Sequence, residues 1–111
     1  MASVLLIDGD RNFREALAVA LRLDGCAVTC SPGAADGAAQ LRRGPYDLCL
    51  VDLTLGGAEG LLAEAVTLGA LVLVTGPYLE LLESAVRRHR GLVALQKPVT
   101  AGDLLARLAT T

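Results

Sequence analysis

Short apolar runs alternate five times with segments of helical period, and this alternation constrains the fold more than any other feature of the chain. "VLLI" (4–7), "CAVTC" (26–30), "YDLCLVDL" (46–53), "ALVLVTG" (70–76) and "LVALQKP" (92–98) read as strands. The first has no polar alternation, as expected of a strand buried on both faces. Between and after the strands lie "RNFREALAVALRLDG", "SPGAADGAAQLRRG", "AEGLLAEAVTLG", "YLELLESAVRRHRG" and "TAGDLLARLATT". In the first of these, Phe13, Ala16, Leu17, Ala20 and Leu21 form one helical stripe, with Asp10 as N-cap and Gly25 as stop. Ser31 and Pro32 open the second, Gly44 ends it, and its two internal glycines weaken it. Leu79, Leu82, Ala85 and Val86 share a stripe in the fourth, read as core rather than interface. Thr100 and Asp103 have the spacing of a capping box.

Alternating β/α units with apolar strands predict a parallel sheet covered by helices on both faces. Right-handed crossovers make it an α/β, doubly wound, five-stranded sheet, and the order expected of it is the flavodoxin-like 2-1-3-4-5. A ligand crevice is then expected at the carboxyl ends of strands 1 and 3, where the winding reverses. The 111 residues make one domain, 1–111, with no repeat, low-complexity tract or linker. Apolar types fill 53% of the chain, enough for a core, and it must be aliphatic because there is no Trp, one Phe and two Tyr. A net charge of −2, with no basic block longer than "RRHR" (87–90), excludes a nucleic-acid-binding face. No apolar run reaches the length of a membrane span, and "MASVLLIDGD" lacks a signal peptide's basic start and cleavage site. Cys26, Cys30 and Cys49 have no metal-ligand spacing and read as small hydrophobes in a reducing cytoplasm. His89 reads as a solvated helix residue.

The strand ends carry the chemistry. Strand 1 ends at Asp8, strand 3 at Asp52, strand 4 at Thr75 followed by Gly76, and strand 5 at Lys97 before Pro98. Each alone is unremarkable in a turn. Together they place two carboxylates, a hydroxyl and an ammonium on one sheet edge, with Gly76 leaving room for a phosphoryl group. Two close carboxylates attract Mg²⁺, which takes carboxylate, water and phosphate oxygens. One carboxylate can attack phosphorus, while metal, Lys and Thr stabilise the phosphoryl oxygens.

"VLLIDGD", "YDLCLVDL", "LVTG" and "LQKP" resemble, in order and rough spacing, the receiver domain of response regulators in two-component signalling, over about residues 3–109. The resemblance implies that Asp52 is the phosphoacceptor, served in a phosphorelay by a histidine kinase or phosphotransfer protein. It implies Mg²⁺ on Asp8, Asp52 and the backbone carbonyl of Thr54, phosphate contacts from Thr75 and Lys97, and a cis Lys97–Pro98 bond. It also implies a downstream protein target on the face of the fourth helix, fifth strand and fifth helix (about 78–109), with homodimerisation open. Activity would be limited to self-phosphorylation and slow self-dephosphorylation. If the chain is complete, it has no output domain and acts through protein contact or by passing phosphate on.

Three departures mark an atypical receiver. Gly9 replaces the second of two adjacent acids, so Mg²⁺ binding is expected to weaken. Asp10 either caps the first helix or moves in as a ligand over a permissive glycine backbone. Ala94 stands where an aromatic switch is usual. The third helix region is short and expected to be loosely held. Two rivals remain. One is a phosphorylation-independent pseudo-receiver that works as an interaction module. The other is a haloacid dehalogenase-like phosphohydrolase with Asp8 as nucleophile and Asp10 as general acid/base, which leaves Asp52 unexplained.

Overall fold

A computed structural model of the chain describes residues 1–110, so Thr111, the last residue of the final predicted helix, lies outside the described residues. The strands are β1 (Ser3–Ile7), β2 (Ala27–Ser31), β3 (Leu48–Asp52), β4 (Leu71–Gly76) and β5 (Leu92–Gln96). The helices are α1 (Arg11–Leu23), α2 (Ala34–Arg42), α3 (Ala58–Thr67), α4 (Leu79–Arg88) and α5 (Ala101–Ala109). All pairings are parallel, in the order β2-β1-β3-β4-β5. The predicted fold class and strand order are those observed.

Two apolar layers follow from the two-residue period of the strands. Val4, Leu6, Leu48, Leu50 and Leu73 face α1 and α5, packing on Leu17, Ala18, Leu21 and Leu104. Leu5, Ile7, Val51, Val72 and Val74 face α2, α3 and α4, packing on Leu41, Leu61, Leu62, Leu82 and Ala85. Covering both faces is what makes the β1 and β3 runs continuously apolar.

Several local expectations are corrected. Ser31 does not cap α2. It is the buried last residue of β2, its Oγ donates to the Gly33 carbonyl at 3.0 Å, and Gly33 is the N-cap. Pro32 therefore precedes the helix, and only Gly37 lies inside it. A Cβ on Gly37 would stand 2.8 Å from Ile7 Cδ1, so the glycine permits close approach of α2 to β1. On α1, Ala18 is buried while Ala16 and Ala20 point outward, which rotates the buried stripe from the one expected. Leu79 and Val86 are not core. They are 50% and 40% exposed, and with Leu92, Val93 and Ala94 they line an open groove between α4 and β5. α3 has 10 residues and buries Ala58, Leu61, Leu62 and Ala65, so it is not loosely held.

The caps of α1 and α5 are those expected. Asp10 accepts from Phe13 N at 3.2 Å, Gly25 follows α1 with φ +93°, and Thr100 and Asp103 form a reciprocal capping box. His89 is not simply solvated, because its Nε2 lies 2.7 Å from Glu59 Oε2. The three cysteines are free, and burial pushes the Cys49 thiol up to about 12, in keeping with a hydrophobe's role.

Candidate functional site

The crevice residues sit where the sheet stops. β1 ends at Ile7 and β5 at Gln96, so Asp8 and Lys97 are the first residues beyond their strands rather than the last within them. Backbone bonds still pin both: Asp8 N donates to Ser31 O at 3.1 Å and Lys97 N to Gly76 O at 3.2 Å. Asp52 closes β3 and is the register partner of Thr75 on β4. The neighbouring Leu53 N donates to Thr75 O at 2.9 Å. Asp8, Asp52 and Thr75 are all buried, at 1%, 5% and 0% exposure. Burying acids and hydroxyls is costly unless they are partnered, so their partners define the site.

Lys97 Nζ lies 2.9 Å from Asp8 Oδ2 and 4.0 Å from Asp52 Oδ2. The contact to Asp8 is an ion pair rather than an aligned hydrogen bond. Asp8 Oδ1 accepts from the backbone N–H of Asp10 at 2.8 Å. Asp52 Oδ1 accepts twice from Thr54, from its N–H at 2.9 Å and its hydroxyl at 2.7 Å. Asp52 Oδ2 is therefore the carboxylate oxygen left facing the ammonium. Thr75 Oγ1 is fully buried and has no hydrogen-bond partner. The Lys97–Pro98 peptide is cis, as the resemblance implied.

The structure thus joins Asp8, Asp52, Thr54, Thr75 and Lys97 in one crevice. It does not bring in the Asp10 carboxylate, whose Oδ1 is used at the N-terminus of α1. Nor does Gly76 open the crevice: a Cβ there would make ordinary contact with Leu81 and Leu82 of α4, at 3.4 and 3.7 Å, so that side of position 76 faces α4. Gly9 does not adopt positive φ, so a permissive backbone is not its role. A Cβ at position 9 would stand 3.3 Å from Leu55 Cδ2, so an aliphatic side chain borders this position.

Three participants were not foreseen. Arg14 Nη1 donates to the Asp8 carbonyl at 2.7 Å, the Thr54 hydroxyl engages Asp52, and Phe13 carries Lys97 Nζ 4.7 Å from its ring centroid. Phe13 packs against the α1-side core, as its place in the apolar stripe implies, and its position in the first turn of α1 also brings it to the crevice.

The donor set suits Mg²⁺ at its minimum. Mg²⁺ needs one or two carboxylates, with waters and phosphate oxygens completing its shell. Two buried carboxylates opposed by one ammonium meet that need. Among the described residues there is no group of three or more His, Cys, Asp or Glu placed to hold a metal ion.

The fold is the one seen in response-regulator receiver domains. A receiver domain (CheY-like) from Methanospirillum hungatei superposes with a TM-score of 0.86 at 24% identity, covering 99% of this chain and 92% of that one. A response regulator from Burkholderia pseudomallei, solved with a phosphorylated aspartic acid, calcium ion and citrate, matches at TM-score 0.84 and 25% identity over 97% of this chain and 66% of that one. No protein-family model matches the sequence. Among curated proteins, the transcriptional regulatory protein CseB of Streptomyces coelicolor is 39% identical over 57 residues, which is 51% of this chain and 24% of that protein. The match thus spans about a quarter of the length of that relative.

Proposed function

We propose that the chain is a receiver of two-component signalling that takes a phosphoryl group onto Asp52 from a histidine kinase or phosphotransfer protein and signals by protein contact. The observation that carries this is Thr75 Oγ1: a fully buried hydroxyl without a partner, in register with Asp52. Leaving such a group unsatisfied costs about 1–3 kcal/mol, a cost that a phosphoryl oxygen accepting its proton would remove.

The chemistry follows from the free oxygen. Asp52 Oδ2 attacks phosphorus, the bond from phosphorus to the donor's imidazole nitrogen breaks, and that nitrogen retains its electron pair and takes up a proton. The product is an acyl phosphate on Asp52, which water later cleaves. Thr54 holds Oδ1 and so fixes which oxygen attacks. Lys97 and Thr75 stabilise the charge on the transferred group. Asp8, Asp52 and the Thr54 carbonyl would hold Mg²⁺, which supplies further neutralisation of the phosphoryl oxygens. The chain acts as a signalling module rather than an enzyme with an external substrate, in the cytoplasm where kinases of this kind work. No helix among the described residues is long and apolar enough to cross a membrane. The reading assigns a downstream protein to the α4-β5-α5 face; in its support, a groove between α4 and β5 is lined by the exposed Leu79 and Val86.

One observation favours a second reading. Gly9 removes a carboxylate, Leu55 borders the gap, and Lys97 already balances Asp8, an arrangement suited to a phosphorylation-independent interaction module. The phosphohydrolase reading has no such support, because the Asp10 side chain caps α1.

Intact mass after incubation with Mg²⁺ and a small phosphodonor separates the two. Gain of one phosphoryl group in the wild type and none in Asp52→Asn establishes the receiver. No gain in either, with both folded, leaves the interaction module.

A further inference from the structure

The crevice holds one lysine, and Lys97 is the only lysine in the chain. Its ammonium has two kinds of neighbour. Asp8 and Asp52 lie at 2.9 and 4.0 Å, and the centroid of the ring of Phe13, the chain's only phenylalanine, lies 4.7 Å away. A cation within about 6 Å of a ring centroid is attracted by the negative face of the ring. The Lys97 side chain is 26% exposed, so a long, flexible stem has solvent open to it. Carboxylates alone would not fix its direction, because they can be met from many angles.

The geometry points to Phe13 as a positioning residue that holds the Lys97 ammonium over Asp8 and Asp52. Phe13 is itself placed by Asp10: its N–H is the donor that the Asp10 side chain accepts, at 3.2 Å. The two acids of "DGD" therefore reach the same lysine by different routes. Asp8 does so directly. Asp10 does so through the first turn of α1 and the ring that this turn presents. Gly9 between them leaves position 9 without a side chain of its own to engage the ammonium, and the ring supplies a second anchor.

The role of Phe13 in phosphoryl transfer rests on the receiver reading, whereas its hold on Lys97 does not. The test reads the two separately. Biosynthetic labelling with [13Cε]lysine yields one side-chain signal, that of Lys97. Its Hε resonance is expected upfield of its position in the urea-unfolded chain, because a proton over a ring face is shielded. Phe13→Tyr should keep that displacement and Phe13→Leu should lose it with the fold intact by circular dichroism. In the same proteins, phosphoryl uptake from a small phosphodonor should fall about two- to fivefold in Phe13→Leu and recover in Phe13→Tyr, the change expected for a partly exposed cation–π contact. An Hε signal at its unfolded-chain position in the folded wild type overturns the inference, whether or not either variant folds. A displaced signal with no phosphoryl uptake by the wild type sustains the hold of Phe13 on Lys97 and overturns the receiver reading instead.

Discussion

At the scale of single residues, the site joins groups that are fully employed to groups that are not. Asp52 Oδ1 has two donors and Asp8 Oδ1 has one, while Thr75 Oγ1 has none. A buried hydroxyl without a partner lowers stability, which is the arrangement expected of a group that finds its partner in another state. Thr75→Val removes that hydroxyl at nearly constant shape. It is expected to raise unfolding free energy by about 1 kcal/mol in denaturant titration, while slowing phosphoryl uptake. A loss of stability would mean that the hydroxyl has a partner in solution. Gly9 is instructive at the same scale. Its identity reads as conformational freedom from sequence alone, yet the backbone there does not need it. What matters is the Leu55 side chain beside it, and no spacing rule connects positions 9 and 55.

At the scale of elements, the apolar runs and caps were legible because their causes are local. Asp10, Gly25 and the Thr100–Asp103 box act on the turns next to them. The start of α2 was misplaced because Ser31, Pro32 and Gly33 carry competing signals, and pairing of Ser31 with Ile7 drew the serine into the sheet. By propensity Gly37 is a defect in the helix, and the nearness of Ile7 explains it. Gly37→Ala returns about 1 kcal/mol of helix propensity. It also forces a methyl group against a buried isoleucine, at about 1–3 kcal/mol. The expected result is a net loss of about 1 kcal/mol by thermal or denaturant unfolding. A stabilised variant would show that α2 can move off β1 freely.

At the scale of the whole molecule, one exposed cluster ties neighbouring units together. Glu59 in the first turn of α3 meets His89 Nε2 at 2.7 Å and the Arg88 guanidinium at the end of α4, and Arg88 also reaches Ser84. Hydrogen bonding from His89, then from Arg88, holds the Glu59 carboxyl below the usual carboxylate range. A carboxyl depressed by folding contributes stability above its unfolded value, and the contribution is lost as pH falls through the folded value. Glu59→Gln should therefore be less stable than the wild type near neutrality, by less than about 1 kcal/mol because the cluster is exposed. The gap should close as pH drops below the carboxylate range. A gap that is unchanged at low pH would assign the effect to packing. The β/α alternation, the unbroken apolar strands and the right-handed crossover rule determined a parallel, doubly wound sheet, and the position of each apolar run placed Asp8, Asp52, Thr75 and Lys97 at or just beyond the carboxyl ends of their strands. Tertiary structure alone decided which oxygen of Asp52 stays free, that Phe13 lies under Lys97, that Leu55 borders Gly9, and that Leu79 and Val86 face outward. These depend on the distances and rotations between elements, which are set when helices pack on the sheet and which no local pattern encodes.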